Sequence, residues 1–347
     1  MRNARYTLAL IPMLLFLGAG CISFSSNTGD GGIFLSRDRG DAWEQRGAIP
    51  TVGGGSSLAN TNIRSIVQDP ADPLAFYLGT DADGAFYSWD GGGTWQSLGA
   101  PFARARVEAV ALHPTQRCSF LVAAGQKVFR SDDCGRNWSS SDFEVAVTAL
   151  AIDPSSPGVL YAGNARGDLL KSTNGGGSWL ATQRLNNRVM RILAQRVGTT
   201  TVLFAATQNQ GIFRSTDSGN SWQSLREALQ SYAAAFEYRE LILAPKNPGV
   251  LFYASKYGVL RSNDSGGSWS PVPLLTAPGT VDISSIAVNP NNTNDINYAT
   301  TSTFYRTADG GQTWESKKLP TSRQVSALAI DSRGESVVWM GTRKVKK

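Results

Sequence analysis

Short apolar segments with a two-residue alternation recur along this chain, and turns rich in Gly, Pro, Asn and Asp separate them. One unit reads VTALAI, then the turn DPSSPG, then VLYAG, DLLKS and WLATQ. A period of two places successive side chains on opposite faces of a β-strand. Pro and Asp favour the turn because they fix φ and cap backbone amides. Each unit therefore predicts four antiparallel strands, which we name A, B, C and D in chain order.

One eight-residue motif connects strand C to strand D in every unit. Its seven copies are SRDRGDAW (Ser36–Trp43), SWDGGGTW (Ser88–Trp95), SDDCGRNW (Ser131–Trp138), STNGGGSW (Ser172–Trp179), STDSGNSW (Ser215–Trp222), SNDSGGSW (Ser262–Trp269) and TADGGQTW (Thr307–Trp314). The third position is Asp38, Asp90, Asp133, Asn174, Asp217, Asp264 and Asp309, and the last is Trp43, Trp95, Trp138, Trp179, Trp222, Trp269 and Trp314. Successive copies lie 52, 43, 41, 43, 47 and 45 residues apart. Four strands in about 45 residues are typical of a β-propeller blade.

The two ends of this array each supply half a unit. GGIFLSRDRGDAWEQRG provides strands C and D only, and VSALAIDSRGESVVWMGT (Val325–Thr342) provides strands A and B only. Pairing the two halves completes one blade and removes the open sheet edges of a linear array. We therefore predict an all-β, seven-bladed propeller in residues 31–347, closed by N-terminal strands C and D pairing with C-terminal strands A and B.

The repeated motif resembles the Asp box, or BNR repeat, of sialidases and sortilin-type propellers, and the resemblance covers essentially residues 31–342. Its carboxylate can accept hydrogen bonds from the amides of its own turn, its glycines permit positive φ, and its indole buries a large ring. Asn174 replaces Asp in one copy, which hydrogen bonding tolerates and acid–base catalysis does not. We interpret all seven copies as structural. In families with this motif the functional site lies on the opposite face.

The first twenty residues differ in character from the rest. MRNAR is basic, TLALIPMLLFL is apolar, and GAG leads into Cys21. The apolar run is too short for a membrane span and is typical of a cleaved export signal. Small residues followed directly by cysteine resemble the lipobox of bacterial lipoproteins. That resemblance implies a signal peptide in residues 1–20, lipidation of Cys21, a short tether in residues 21–30, and attachment to the outer face of a bacterial membrane. The alternatives are an ordinary secretory signal and an uncleaved anchor.

The formal charge is +6, and removal of the predicted signal peptide lowers it to +4 because Arg2 and Arg5 are lost. This excess is too small to predict nucleic-acid binding. Cys118 and Cys134 remain in the predicted domain. Cys118 follows the A–B turn of the blade whose motif contains Cys134, and those two turns lie at one edge of a meander. We predict a disulfide between them, with two free thiols as the alternative.

The chain offers few residues for catalysis. Its single histidine, His113, occupies the turn position that Asp69 and Asp153 hold in other blades, so a His-based triad is not expected. The cysteines lack zinc-site spacing, and GGGS at residues 53–56 lacks the Gly-Lys of a phosphate-binding loop. We therefore expect no metal ion and no cofactor.

Two glycosidase families also use propellers with this motif. Sialidases have an arginine triad that begins in Arg-Ile-Pro, whereas AIP (Ala48–Pro50) lacks the arginine. Xyloglucanase-type enzymes carry Thr-Asp-x-Gly-Gly-Ala-Tyr-Arg-Trp, which TDADGAFYSW (Thr80–Trp89) resembles with an extra residue. That resemblance implies Asp81 as a cleft carboxylate. Those enzymes take the second carboxylate of glycoside hydrolysis from a second propeller, which this chain lacks. A glycoside hydrolase is therefore the alternative function.

The B–C turns and D–A loops form the face opposite the motif, and their sequences differ between repeats. Variable loops on a rigid scaffold commonly carry binding sites. The candidate binding residues there are Arg104, Arg106, Arg166, Arg184, Arg188 and Arg191. We expect them to bind an acidic protein segment or another anionic group, and the alternative is a solvated rim. The insert Gln223–Glu240 places Leu225, Leu229 and Tyr232 at helical spacing and predicts a helix.

A seven-bladed, exported, lipoprotein-like propeller with arginines on one face resembles the photosystem II assembly-factor family. That family binds newly made membrane proteins and has no known catalysis. The resemblance implies a non-enzymatic, membrane-tethered scaffold for a protein or glycan ligand, monomeric and without nucleic acid. A structural element of a surface assembly is a third interpretation.

Overall fold

The computed structural model describes residues 29–51, 55–334 and 336–345 and contains seven four-stranded antiparallel sheets. The predicted all-β, seven-bladed propeller is confirmed. Among the described residues, no helix is long and apolar enough to cross a membrane. Cys21, the predicted signal peptide and most of the predicted tether lie outside the described residues.

We number as blade 1 the sheet that combines both ends of the chain. In blades 1 to 7, the A strands are Gln324–Ile330, Ile63–Gln68, Val107–Leu112, Val147–Ile152, Val189–Val197, Tyr238–Leu243 and Ser285–Asn289. The B strands are Val338–Arg343, Phe76–Thr80, Phe120–Ala124, Leu160–Asn164, Thr200–Thr207, Leu251–Ser255 and Asn292–Ala299. The C strands are Ile33–Ser36, Ala85–Ser88, Lys127–Ser131, Asp168–Ser172, Ile212–Ser215, Gly258–Ser262 and Thr303–Thr307. The D strands are Glu44–Gln45, Gln96–Ser97, Ser139–Asp142, Leu180–Arg184, Gln223–Ser224, Ser270–Pro271 and Glu315–Lys318.

Blade 1 closes the ring as predicted. Its strand order is D, C, B, A, so strand C from the N-terminal half pairs with strand B from the C-terminal half. Leu35 lies opposite Trp339 in this antiparallel pair. The Thr342 N–H donates to the Gly32 carbonyl oxygen at 2.9 Å and extends the pairing beyond the strands. Every strand in the blade therefore has its expected neighbours, although the chain is interrupted there.

The two ends of the ring differ in composition because an antiparallel meander reverses direction at each turn. The motifs and the A–B turns lie at one end, which we call the motif face. The B–C turns and the D–A loops lie at the other end, which we call the loop face. A strands contact A strands of neighbouring blades around the ring, so they form its innermost layer.

The core consists of apolar clusters between adjacent blades. Trp95 and Trp339 are fully buried and pack edge to face, with ring centroids 6.3 Å apart, and Phe76 packs on Trp339 at 5.2 Å. Burial of each such ring contributes several kcal/mol, about 25 cal/mol per Å² of apolar area. These contacts join blade 2 to blade 1 and hold the closing blade in place.

The predicted helix in residues 223–240 is wrong apart from one turn. The helix spans only Arg226–Leu229, and bends and turns occupy the residues up to strand A of blade 6. Ala234 has a φ of 61°, which a right-handed helix does not accommodate. Leu225 and Leu229 are buried, so their spacing reflects packing of a folded loop onto blades 5 and 6.

The D–A loop between blades 1 and 2 contains two elements outside the repeats. They are the hairpin Ala48–Ile49 with Ser56–Ser57 and the 3₁₀ helix Leu58–Asn60.

Candidate functional site

The seven motifs share one hydrogen-bond network. In blade 5, Ser215 Oγ donates to Asp217 Oδ1 at 2.7 Å and accepts the Gly219 N–H at 2.8 Å. Asp217 Oδ1 also accepts the Ser221 N–H at 2.9 Å. The other six copies repeat these three bonds. Burial raises the pKa of Asp217, but hydrogen bonds from Ser221 and Ser215 outweigh it and hold the pKa at about 2. A carboxylate held in this way is a turn acceptor and not a proton donor.

Asn174 meets the same demands in blade 4. Its Oδ1 accepts the Ser172 hydroxyl at 2.9 Å and the Ser178 N–H at 2.9 Å. Its Nδ2 donates to Ser178 Oγ at 3.0 Å, at the position where four other copies have a carboxylate that accepts from a hydroxyl. The hydroxyl can rotate to serve either partner. The motif therefore needs hydrogen-bonding geometry and not a negative charge.

A row of cations links the motif face of consecutive blades. The residue before the motif serine or threonine is basic in blades 3 to 7, and it reaches the neighbouring blade in each case. The contacts are Arg130 to Gly175 O at 2.9 Å, Lys171 to Asn220 Oδ1 at 3.0 Å, Arg214 to Ser265 O at 3.1 Å, Arg261 to Asn294 Oδ1 at 3.0 Å, and Arg306 to Arg39 O at 2.8 Å. These bonds join blade to blade. They were not predicted, although the recurring basic position is visible in the sequence.

Cys118 and Cys134 form a disulfide with Cα atoms 4.1 Å apart. Their approach follows from a backbone bond from the motif to the A–B turn of the same blade, here the Cys134 N–H to the Cys118 carbonyl at 3.0 Å. Five other blades make the equivalent bond, as the Ser265 N–H does to the Gly249 carbonyl at 2.8 Å. The disulfide therefore adds a covalent link at a contact that the fold already makes.

Most A strands carry a β-bulge at their second or third residue, near the loop face. Register shifts lie there in blades 1 to 6 and displace one residue from the regular pairing. Bulges redirect side chains and are frequent beside functional sites. In blades 2 and 3 the displaced residues are Arg64 and Glu108. Neither was predicted as a site residue, although each is a charged residue in a strand with several apolar positions.

These residues form a charged group at the loop-face end of the innermost strands. We call Arg64, Asp81, Arg106, Glu108 and Arg188 the mouth cluster. Glu108 Oε2 lies 2.8 Å from Arg64 Nη2 and 3.4 Å from Arg188 Nη2, and Glu108 Oε1 lies 3.0 Å from Arg106 Nε. The side chain of Glu108 is only 10% exposed. One carboxylate therefore gathers three guanidinium groups from blades 2, 3 and 5.

Asp81, from the B–C turn of blade 2, completes the mouth cluster. Its Oδ1 lies 3.3 Å from Arg64 Nη1 and 4.0 Å from Arg106 Nε. Arg64 thus bridges Asp81 and Glu108 with two nitrogens of one guanidinium. Three cations and two anions leave the cluster with one net positive charge. The side chain of Arg106 is 53% exposed, so an incoming anion can reach this cluster.

The structure places two of the six candidate arginines, Arg106 and Arg188, in the mouth cluster. Arg184 pairs with Asp168, whose pKa is lowered because hydrogen bonds from Asn164 and Arg184 outweigh burial. The remaining three, Arg104, Arg166 and Arg191, are exposed and make no ion pair with any described residue. Arg191 lies in strand A of blade 5. Burial raises the pKa of Glu240, and the positive charge of Arg191 opposes that rise.

The described residues contain no group of His, Cys, Asp and Glu that could hold a metal ion. His113 Nδ1 accepts the Gln116 N–H at 2.9 Å and the Thr115 N–H at 3.2 Å, which is the turn role expected from its position. Burial lowers the pKa of His113, and so does the nearby Arg130. The mouth cluster presents three guanidinium groups, which can bind anions, and two carboxylates.

A separate cavity of about 560 Å³ opens between blades 3 and 4, away from the mouth cluster. In blades 2, 5 and 6 the third residue after the motif tryptophan fills the corresponding space, as Leu225 does against Gly266 and Val272 against Gly311. Blade 3 has Ser141 at that position, and its hydroxyl donates to the Gly176 carbonyl. The cavity therefore follows from a small side chain in the packing between blades.

No protein-family profile matches this chain. No curated protein matches it either. Solved structures show extensive similarity. The GH74 enzyme of Niastella koreensis has a TM-score of 0.68 and 19% identity, over 85% of this chain and 52% of that chain. This chain therefore spans about half the length of that enzyme.

Two YCF48 structures match along nearly their whole length. YCF48 from Cyanidioschyzon merolae has a TM-score of 0.62 and 14% identity, over 85% of this chain and 98% of that chain. YCF48 bound to D1 peptide has a TM-score of 0.59 and 15% identity, over 86% of this chain and 96% of that chain. At these identities the similarities establish a shared propeller fold and no shared activity.

Proposed function

We propose that this protein is an exported, lipid-anchored propeller that binds an acidic protein segment at the mouth cluster and catalyses no reaction. The observation that carries the proposal is Glu108, a mostly buried carboxylate surrounded by three arginines. Guanidinium forks match carboxylates in shape and charge. Glu108 holds these forks in place before any ligand arrives, which reduces the entropic cost of binding.

The comparisons support a binding role without identifying the ligand. The similarity to YCF48 bound to D1 peptide covers nearly all of that chain, so a single propeller of this size suffices for a peptide-binding protein. An acidic glycan presents carboxylates of the same kind and is the second ligand class. The anchor rests on the lipobox-like residues before Cys21.

The binding proposal is tested with a fluorescent deca-glutamate peptide, with oligogalacturonate as the acidic glycan. We expect anisotropy to show salt-sensitive binding of deca-glutamate. The double variant Arg106→Glu/Arg188→Glu should weaken that binding about tenfold or more, because attraction becomes repulsion. Arg37→Glu/Arg136→Glu on the motif face changes the net charge by the same amount, is the matched control, and should bind normally. Equal binding by the parent and the double variant would reject the mouth cluster as the site.

The anchor is tested separately by fractionating cells. Cys21→Ser should move the protein from the membrane fraction to the soluble extracytoplasmic fraction. Retention of Cys21→Ser on membranes would reject lipidation at this residue, whatever the peptide assay shows.

Glycoside hydrolysis is the second candidate function because the mouth cluster holds two carboxylates, Asp81 and Glu108. Hydrolysis of a glycosidic bond uses such a pair, one as acid and one as base or nucleophile. Here Arg64 bridges both, so a substrate would have to displace that arginine. A panel of β-glucans and sialosides decides between the two functions. Turnover that Asp81→Asn abolishes would favour the hydrolase over the binding protein.

A further inference from the structure

The chain joins the propeller on the loop face. Thr321 Oγ1 donates to the Asp30 carbonyl oxygen at 2.7 Å, and the Ser322 N–H donates to Asp30 Oδ2 at 3.1 Å. Gln45 Nε2 donates to the Gly29 carbonyl oxygen at 2.8 Å. Gly32 packs closely on Leu58, because a Cβ added at Gly32 would lie 2.2 Å from the Leu58 carbonyl oxygen. Residues 29–32 are therefore fixed between two D–A loops.

The last described residues lie on the same face. Strand B of blade 1 ends at Arg343, and the Lys344 N–H donates to Asn62 Oδ1 at 2.8 Å. Lys344 is exposed, and Val345 is 59% exposed. The place where the tether leaves the ring is thus flanked by two basic residues and one exposed apolar residue.

The tether is short compared with the domain. Gly29 is eight positions after Cys21, and a fully extended chain spans at most about 28 Å over that length. A compact domain of this size has a radius of gyration of about 20 Å, so its diameter is roughly 50 Å. Gly29 lies beside Gln45 of strand D, at the outer edge of blade 1, so to bring the motif face to the membrane the tether would have to run back along that edge over the thickness of the ring. The loop face can reach the membrane without such a path.

The two faces also differ in charge. Among the described residues, the turns and loops of the loop face contain nine Lys or Arg and seven Asp or Glu. The turns of the motif face contain six Lys or Arg and twelve Asp or Glu. The five strand-C cations near the motif face bind uncharged oxygens of neighbouring blades and keep their charge. With them the motif face has eleven cations and twelve anions, a net charge of −1 against +2 for the turns and loops of the loop face. Anionic headgroups attract basic surfaces and repel acidic ones, so charge favours the same orientation as the tether.

We propose that the loop face lies against the anionic headgroups of the membrane that holds Cys21. This rests on the anchor in the proposed function. Arg343 and Lys344 beside the tether contact the headgroups, and the mouth cluster opens toward the bilayer. A ligand of the mouth cluster must then lie within about a tether length of the membrane surface.

Energy transfer to a lipid-bound acceptor tests the orientation. The full-length chain carries one added cysteine for a donor dye, either Ala103→Cys on the loop face or Thr173→Cys on the motif face. The purified lipoproteins are reconstituted into vesicles of phosphatidylcholine with or without phosphatidylglycerol. We expect stronger transfer from residue 103 than from residue 173 in anionic vesicles. Salt, Arg343→Glu/Lys344→Glu, and a long Gly-Ser linker inserted after residue 28 should each reduce the difference.

Equal transfer from the two positions, or stronger transfer from residue 173, would overturn the orientation. A difference of the same size with and without phosphatidylglycerol would overturn docking on anionic headgroups. Mass spectrometry of the mature protein reports lipidation independently. If Cys21 carries no lipid, the anchor in the proposed function fails. In that case, coupling the Cys21 thiol to a maleimide-lipid attaches the protein to the vesicle and tests the orientation alone. The deca-glutamate assay in solution depends on neither result.

Discussion

The serine or threonine that opens each motif is a polar residue buried in every blade. These seven side chains, Ser36, Ser88, Ser131, Ser172, Ser215, Ser262 and Thr307, are at most 4% exposed. Each hydroxyl donates to the third residue of its motif and accepts an N–H from the fifth. A buried polar group is tolerated when it is fully hydrogen-bonded, and an orphaned partner is costly. The motif therefore tolerates Asn in place of Asp more readily than loss of this hydroxyl.

We predict that Ser215→Ala lowers the free energy of unfolding by about 1–3 kcal/mol, because the buried Gly219 N–H loses its acceptor. Ser215→Thr should be close to neutral, since Thr307 makes the same bonds in blade 7. Thr216→Ala, an exposed neighbour, is the control and should change stability by less than about 0.5 kcal/mol. Urea unfolding followed by tryptophan fluorescence measures all three. Equal stabilities of Ser215→Ala and Thr216→Ala would contradict the role of the hydroxyl.

The motif aspartates also predict how stability responds to acid. The Asn137 N–H, and then its side chain, lower the pKa of Asp133 to about 2, and the pKa of Asp217 is also about 2. A carboxylate whose pKa is depressed on folding stabilises the native state above its unfolded pKa near 4 and loses that contribution as pH falls. We expect the urea midpoint to decline below about pH 4 and to continue falling toward pH 2. In Asp217→Asn the decline should be shallower, and a midpoint constant down to pH 2.5 would contradict this linkage.

At the scale of elements, the blades are joined by different polar links on the two faces. Near the motif face, strand-C cations bind oxygens of the next blade. Near the loop face, the links join neighbouring A strands: Thr148 Oγ1 donates to the Val189 carbonyl at 2.6 Å, and Glu240 Oε2 accepts the Ile286 N–H at 3.0 Å. Apolar packing between blades does not by itself fix their relative orientation, whereas hydrogen bonds are directional and do. Blades 4 and 5, and blades 6 and 7, are thus oriented relative to each other at both ends of their strands.

Arg306 allows this linkage to be tested at the seam of the ring. Its guanidinium donates to the Arg39 carbonyl at 2.8 Å and the Asp38 carbonyl at 3.2 Å, joining blade 7 to blade 1, and it also pairs with Glu315. We predict that Arg306→Met lowers the free energy of unfolding by about 1–2 kcal/mol through loss of these bonds. Arg136→Met removes an exposed arginine from the same face and should be nearly neutral. Unfolding in guanidinium chloride measures both variants. If they had the same free energy of unfolding, the bonds of Arg306 to blade 1 would contribute no stability.

At the scale of the whole molecule, the blade count and the closure were predictable because they depend on local repetition. A near-constant interval predicts repeated units, and two complementary half units predict a closed ring. Boundaries shifted slightly: strand D of blade 4 begins at Leu180, one residue after the start expected from WLATQ. The helix predicted after Gln223 was wrong because its apolar spacing came from packing between blades.

The mouth cluster could not be predicted in the same way. Arg64 and Glu108 are 44 residues apart in sequence, and Arg188 and Glu108 are 80 residues apart. They meet because the ring brings the A strands together and because bulges displace single residues from the regular pairing. The repeat pattern identified the face that carries the cluster and two of its three arginines, and the xyloglucanase-like motif indicated Asp81. Interactions among loops of non-adjacent blades depend on ring curvature, which no local pattern encodes.

Ring closure leads to a last prediction, because the seam in blade 1 is an interruption of the chain and not of the sheet. Direct fusion of Val345 to Gly29 would connect strand B to strand C through the six residues between Arg343 and Ile33. New ends can be placed in the exposed A–B turn of blade 5, between Gly198 and Thr199. We predict that this permutant of residues 29–345 folds with the parent circular dichroism spectrum and unfolds in one transition, since every strand keeps its neighbours. Deletion of residues 336–345 should instead give insoluble protein, because strands A and C of blade 1 lose the strand between them. A soluble deletion variant, or a permutant that fails to fold, would show that stability depends on the chain ends themselves and not on closure of the ring.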